Sequence, residues 1–325
     1  MASPGTDTWS FHCSACGKCC NSPPQMSVPE LFHHQHRFIG CLVVRRVAMP
    51  RPGDRLGDAA SGWIATEADV RAFSQLADTL LYRSPDGAGA SRVLIATQAF
   101  APEDGDASSS TACPALGDDM RCTIHEDRKP AACSVVPLDA LVPDRLQHLV
   151  LGERRSEASY LGAACIVPGV RSDATRLTRR LAVVDPGYAE ALARRRRDLV
   201  ADKRFWGDAV FRMLGRELFD PAHSPSRIPA HGLLVMAIAP AVAVIAGASA
   251  RSRERGVAYL DAQIALMGAW LRGRPDGSPG EREGSARVRA FMRTNEALRR
   301  ALEHAPLRAS ADRGRDVEAW MGLST

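Results

Sequence analysis

Lysine is nearly absent from this chain of 325 residues: of 42 basic side chains, only Lys18, Lys129 and Lys203 are lysine and the other 39 are arginine. The skew reads as a coding bias toward arginine. Arginine runs therefore carry little functional weight, and "ARRRRD" over 193–198 is expected to be a solvated helix face. Aromatic residues make up only 6% and the formal net charge of +5 is spread along the chain, which disfavours a nucleic-acid surface. There is no glycine loop of the phosphate-binding type, no G-x-S-x-G, and no G-x-G-x-x-G at a strand–helix junction, so no nucleotide site or hydrolase elbow is expected. The opening "MASPGTDTWSFHC" lacks a basic n-region and an apolar h-region. No secretory signal is expected, and the expected location is cytoplasmic. One uncharged run, residues 232–250, reaches the length of a membrane span. Only seven of its nineteen residues are Leu, Val or Ile, and Pro240 and the glycines oppose insertion. It is expected to be a buried helix, without a membrane partner.

What the chain does have is the composition of a globular protein, 45% apolar and 24% charged, with length enough for one large domain or two ordinary ones. It also has nine cysteines, four of them in "FHCSACGKCC": Cys13, Cys16, Cys19 and Cys20. In a reducing compartment structural disulfides are rare, so clustered cysteines read as metal ligands first. A C-x2-C spacing lets a tight turn aim two sulfurs at one metal, at about 2.3 Å each for zinc. Cys13, Cys16 and Cys19 match the C-x2-C-x2-C run that holds three corners of an iron–sulfur cluster. Cys20 is expected to diverge from Cys19 and to serve a second centre.

A second cluster, "CPALGDDMRCTIHEDRKPAAC", holds Cys113, Cys122 and Cys133, with a hairpin-like turn expected at Gly-Asp-Asp. Together with Cys165 it makes four late cysteines against four early ones. Eight thiols suffice for two four-coordinate sites, or for one closed site and one with spare thiols. Four thiolates on a divalent ion leave a net charge of about −2, which Lys18, Arg121, Arg128 and Lys129 are placed to offset. His125 is the best non-cysteine ligand candidate. Cys41 fits no pattern and is expected to be a buried small hydrophobe. "HHQH" (33, 34, 36) is read as a helix face.

These residues resemble the CxxCxxCC (YkgJ-type) cysteine-cluster family, described as zinc- or iron-chelating proteins. The likeness covers roughly 11–26 and 113–137, with Cys165 as an eighth member. Lys129 and Ser134 depart from it, standing where the family has arginine. A more distant similarity is to the flagellin lysine methylases. The first resemblance implies a metal-binding protein with zinc or iron, the latter including an iron–sulfur cluster, held by Cys13, Cys16, Cys19, Cys20, Cys113, Cys122, Cys133 and Cys165. The second implies the alternative of a metal-dependent enzyme acting on proteins or peptides, so enzymatic activity and a protein or peptide partner stay open.

The fold expected is α+β. A small metal-nucleated domain over 1–171, with an insertion at about 42–112, precedes a mainly helical domain over 172–325. In the first domain Ser27 and Glu30 form a capping box, 40–47 and 91–100 read as strands, and 67–81 as a helix between the loops 48–63 and 84–90. A polar linker is expected at 101–111. In the second, apolar stripes at 206–218, 257–271 and 288–302 predict three amphipathic helices packed on the apolar run.

Overall fold

The computed structural model describes residues 8–323 apart from 21, 59–60, 85–90, 101–112, 157–163, 219–227, 230–231, 274–278 and 308. The fold is mixed helix and sheet with antiparallel pairing, as the α+β expectation has it at that level. The chain groups into two compact units: Met1–Asn21, Val47–Val93 and Ala115–Val200 form the first, and Ser22–Arg46, Leu94–Pro114 and Ala201–Thr325 the second. The units exchange segments along the chain, whereas the sequence reading cut it once at 171/172. The loop expected at 84–90 and the linker at 101–111 lie almost wholly outside the described residues.

In the first unit β1 (Thr8–Phe11) lies between β7 (Ile166–Pro168) and β8 (Thr175–Arg179), with β9 (Ala182–Val183) beyond β8. Phe11 pairs with Ile166 and Ser10 with Val167, both antiparallel. The short pairs β3 (Arg55–Leu56) and β4 (Trp63–Ile64) fall inside the stretch expected to be loop. After them comes α2 (Glu67–Leu80), as expected. β5 (Tyr82–Arg83) pairs with Arg92–Val93, the start of β6 (Ser91–Ala99). Further on are α3 (Ala131–Val135), α4 (Gln147–Ser156) and α5 (Pro186–Asp202).

The arginine run on α5 is a correction. Arg195 is 3% exposed. Arg196 donates to the carbonyls of Ala140 and Val142 and pairs with Asp144 at 2.7 Å. A solvated face does not describe it: Arg195 is buried, and Arg196 holds the 140–144 loop in place.

Asp69 is the polar anchor of α2. Fully buried, it closes a capping box with Thr66, accepts the Trp63 indole N–H at 3.2 Å and faces the Arg145 guanidinium at 2.8 Å. Burial acts to raise its pKa. The hydrogen bonds from Thr66 and Trp63, with the charge of Arg145, outweigh burial and hold the carboxyl below its ordinary value.

In the second unit α1 (Val28–His33) opens with the expected Ser27–Glu30 capping box. β2 (Gly40–Ala48) lies between β10 (Leu234–Ala237) and β6. The apolar run at 232–250 is not one helix: β10 pairs with Cys41–Val44, and the chain then turns into α7 (Ala239–Ala246). Pro240 fits the break, because in the first turn of a helix its missing N–H would have no intrahelical acceptor anyway, whereas inside one long helix it would remove a hydrogen bond. No helix among the described residues is long and apolar enough to cross a membrane.

α6 (Asp208–Leu218), α8 (Ala250–Arg272), α9 (Pro279–Leu302) and α10 (Ala311–Trp320) complete the unit. The stripes bury as expected at Trp206, Val210, Leu214, Leu260, Met267, Val288 and Phe291. Met213 is 56% exposed, outside its stripe.

Two side chains of α8 fix it to the 32–40 segment. Tyr259 stacks on Phe32 with ring centroids 4.1 Å apart. The buried Gln263 amide accepts from Gly40 N at 2.8 Å and donates to the carbonyls of Gln35 and Phe38. Position 40 admits only glycine here, since a Cβ would run into the Tyr259 hydroxyl and lie 3.0 Å from Ile238 Cδ1. A fragment of 172–325 would lose β2, Phe32 and these hydrogen bonds, so the self-contained helical domain expected from sequence does not describe this unit.

Replacing Asp69 by Asn should cost about 3–5 kcal/mol by leaving Arg145 uncompensated. Because the folded-state pKa of Asp69 is lowered, its stabilisation is present above the unfolded carboxylate value and lost as pH falls through the folded one. Urea midpoints of wild type and Asp69→Asn should therefore differ near neutrality and converge in acid. A constant difference at every pH would contradict this role.

Candidate metal centre

The cysteine loop begins where β1 ends. His12 N donates to Cys165 O at 2.9 Å, extending the β1–β7 pairing by one step. The chain then curls through two left-handed residues, Ala15 at φ 51° and Gly17 at φ 69°. It closes in a 3-10 turn over Lys18–Cys20, with Cys20 N bonded to Gly17 O at 2.8 Å. Glycine suits position 17 for two reasons: the left-handed backbone, and the Met120 methyl and Leu116 side chain packed on its Cα. That packing brings the loop of the second cluster against the first.

The second cluster is built on the expected turn. Met120 N bonds Gly117 O, Gly117 N bonds Arg121 O, and Leu116 bridges Cys122. Pro130 then caps α3, and its carbonyl accepts from Cys133 N at 2.9 Å.

All nine cysteines are thiols outside any disulfide. Cys13 is exposed, Cys16, Cys19, Cys20, Cys122 and Cys133 are half-buried, and Cys165 is buried. Cys113 is half-buried and belongs to the second unit. The grouping of Cys165 with the late cysteines is a correction: it lies with the early ones, its neighbours being His12 and the thiols of Cys16, Cys19 and Cys13. Burial, then repulsion from those three thiolates, pushes its pKa up.

Cys19 moves the other way, to about 6. The hydrogen bond with the Cys20 thiol comes first among the causes, and Lys129 and Arg154 add to it against the cost of burial. The sulfurs of Cys19 and Cys20 are 3.9 Å apart. Adjacent side chains were expected to diverge, but the 3-10 turn folds both thiols to one side. Among the described residues no three cysteine sulfurs lie mutually within 4.8 Å.

Two neighbours of the loop were missed in the sequence. Arg154 comes from α4, with no motif around it. Tyr188, in the first turn of α5, packs its ring edge-to-face on Phe11 at 6.3 Å. Burial, then Asp185, Cys13 and Cys19, push its phenol up to about 12, so it stays protonated.

The other candidates separate cleanly. His125 is exposed beside Glu126, at 3.8 Å. Cys41 is buried and donates to Gln98 O at 3.4 Å, as a small core residue would. Burial pushes its thiol well up. In "HHQH", His33 is exposed, while His34 is buried edge-to-face with Phe38.

No family model, no curated protein and no solved structure matches this chain. The cysteine-family resemblance rests on the motif residues themselves.

In metal-free protein Cys19 should alkylate first as pH rises from 5, with a midpoint near 6, while Cys41 stays unmodified until denaturation. Lys129→Gln should move the Cys19 midpoint upward. Peptide mapping after pulses of iodoacetamide reads both, and a Cys19 midpoint at the ordinary thiol value would contradict the arrangement.

Proposed function

We propose that the first unit is a thiolate metal-binding module in which Cys13, Cys16, Cys19 and Cys165 hold one centre. The position of Cys165 carries this reading: β-sheet pairing, not sequence spacing, supplies a fourth thiol to a C-x2-C-x2-C run that needs one. Cys20, its sulfur 3.9 Å from that of Cys19, is a further thiol beside this centre, and Cys122 and Cys133 are thiols of the same unit available to a second one. Lys129 and Arg154 are the cations that offset the thiolate charge.

Of the two metals, iron is the better supported. Thiolates on one tetrahedral zinc lie about 3.8 Å apart, and no three cysteine sulfurs among the described residues converge even to 4.8 Å. A polynuclear cluster asks less convergence, since its thiolates bind different irons. Bound there, an iron–sulfur cluster would supply one-electron transfer, and zinc a closed cross-link. The role of this chain's own residues is to present four thiols, shield Cys165 from solvent and balance charge.

Anaerobic purification with metal analysis tests the reading. Wild type should be brown and contain iron. Cys16→Ser and Cys165→Ser should each lose at least half of it, and Cys41→Ser should keep it. A colourless zinc protein would overturn the choice of iron. No bound metal at all, or full loading in both loop variants, would overturn the module.

A further inference from the structure

We propose that Cys19, Cys20 and the Met120 thioether form a site for a soft monovalent cation, cuprous copper. The site shares Cys19 with the iron centre proposed above, and it rests on that reading only in that the two metals compete for this thiol.

The doubled cysteine is the part of the motif that the iron centre leaves unused. Lys18–Cys20 form a 3-10 turn that puts both sulfurs on one side, 3.9 Å apart and half-buried. That spacing is close to the roughly 3.8 Å between two thiolates on one metal ion. A single ion can therefore bridge the pair without moving the chain. A disulfide between them is disfavoured, because the Cα atoms of adjacent residues are about 3.8 Å apart, short of the usual range of about 4.4–6.8 Å.

Met120 supplies the third sulfur. Its backbone is left-handed at φ 62°, a conformation that a bulky residue rarely adopts. Its side chain is 44% exposed, so it fills no core. The turn instead lays the thioether on the cysteine loop. A Cβ at position 17 would lie 3.5 Å from Met120 Sδ, and Gly17 O accepts from Cys20 N.

These three donors select the ion. Soft thiolate and thioether ligands suit cuprous copper, which is satisfied by few of them. Zinc asks for four donors. Among the described residues no further cysteine, histidine or carboxylate donor lies within 4.8 Å of both sulfurs. Binding releases the thiol protons of the pair.

Titration of the metal-free full chain with cuprous copper held by bicinchoninate tests this, the chelator out-competing single thiols. Wild type should take one copper per chain. Cys20→Ser should bind it about tenfold more weakly or worse, as loss of a ligand requires. Met120→Leu keeps the apolar packing on Gly17 and should weaken binding about threefold. It decides the question if circular dichroism shows that Cys20→Ser has not folded. Cys16→Ser and Cys122→Ser should bind copper as wild type does, although Cys16→Ser is expected to lose iron, so failure of the iron centre and failure of the copper site read out separately. No uptake by wild type, wild-type affinity in folded Cys20→Ser or Met120→Leu, or an equal loss in Cys16→Ser and Cys122→Ser would overturn the proposal.

Discussion

Thiols gathered in one place repel one another once ionised, and this constraint governs the first unit. Each of Cys13, Cys16 and Cys19 makes Cys165 harder to ionise. The protein answers locally with the Cys19–Cys20 hydrogen bond and with Lys129 and Arg154. A cation among the sulfurs answers the repulsion more completely, and in such sites metal binding is folding free energy. The left-handed turns at Ala15 and Gly17, the packing of Met120 on Gly17 and the sheet that delivers Cys165 all serve to hold like charges together.

The second unit depends on a different device. Its β2 and α8 come from distant parts of the chain and are joined by one buried amide, Gln263, with every polar atom used. The Phe32–Tyr259 stack beside it carries the apolar burial. The stack needs Gly40, whose missing side chain lets Tyr259 approach the strand.

Local signals were legible in the sequence and long-range ones were not. The capping residue Ser27 sits at the start of α1, and the strands at 40 and 91 stand out as branched apolar runs between turn residues. The run at 232–250 misled because apolar composition does not distinguish strand from helix. Pro240 was the signal that could have divided it. Cys165 was assigned by chain order, but antiparallel pairing with β1 places it across 150 residues from the loop it joins. No local pattern encodes that pairing. Arg195 and Arg196 were discounted for the arginine bias, which speaks to frequency and not to burial. The two units differ from a single cut at 171/172 for a similar reason: the described segments 22–46 and 94–100 group with the C-terminal helices, and nothing in their composition says so.

The central claim is that sulfur alone makes up the coordination shell in the first unit. X-ray absorption at the edge of the bound metal measures that shell directly in the full-length protein. The account predicts a first shell of sulfur with about four thiolate or sulfide neighbours per metal atom. A shell containing imidazole nitrogen or carboxylate oxygen would contradict it.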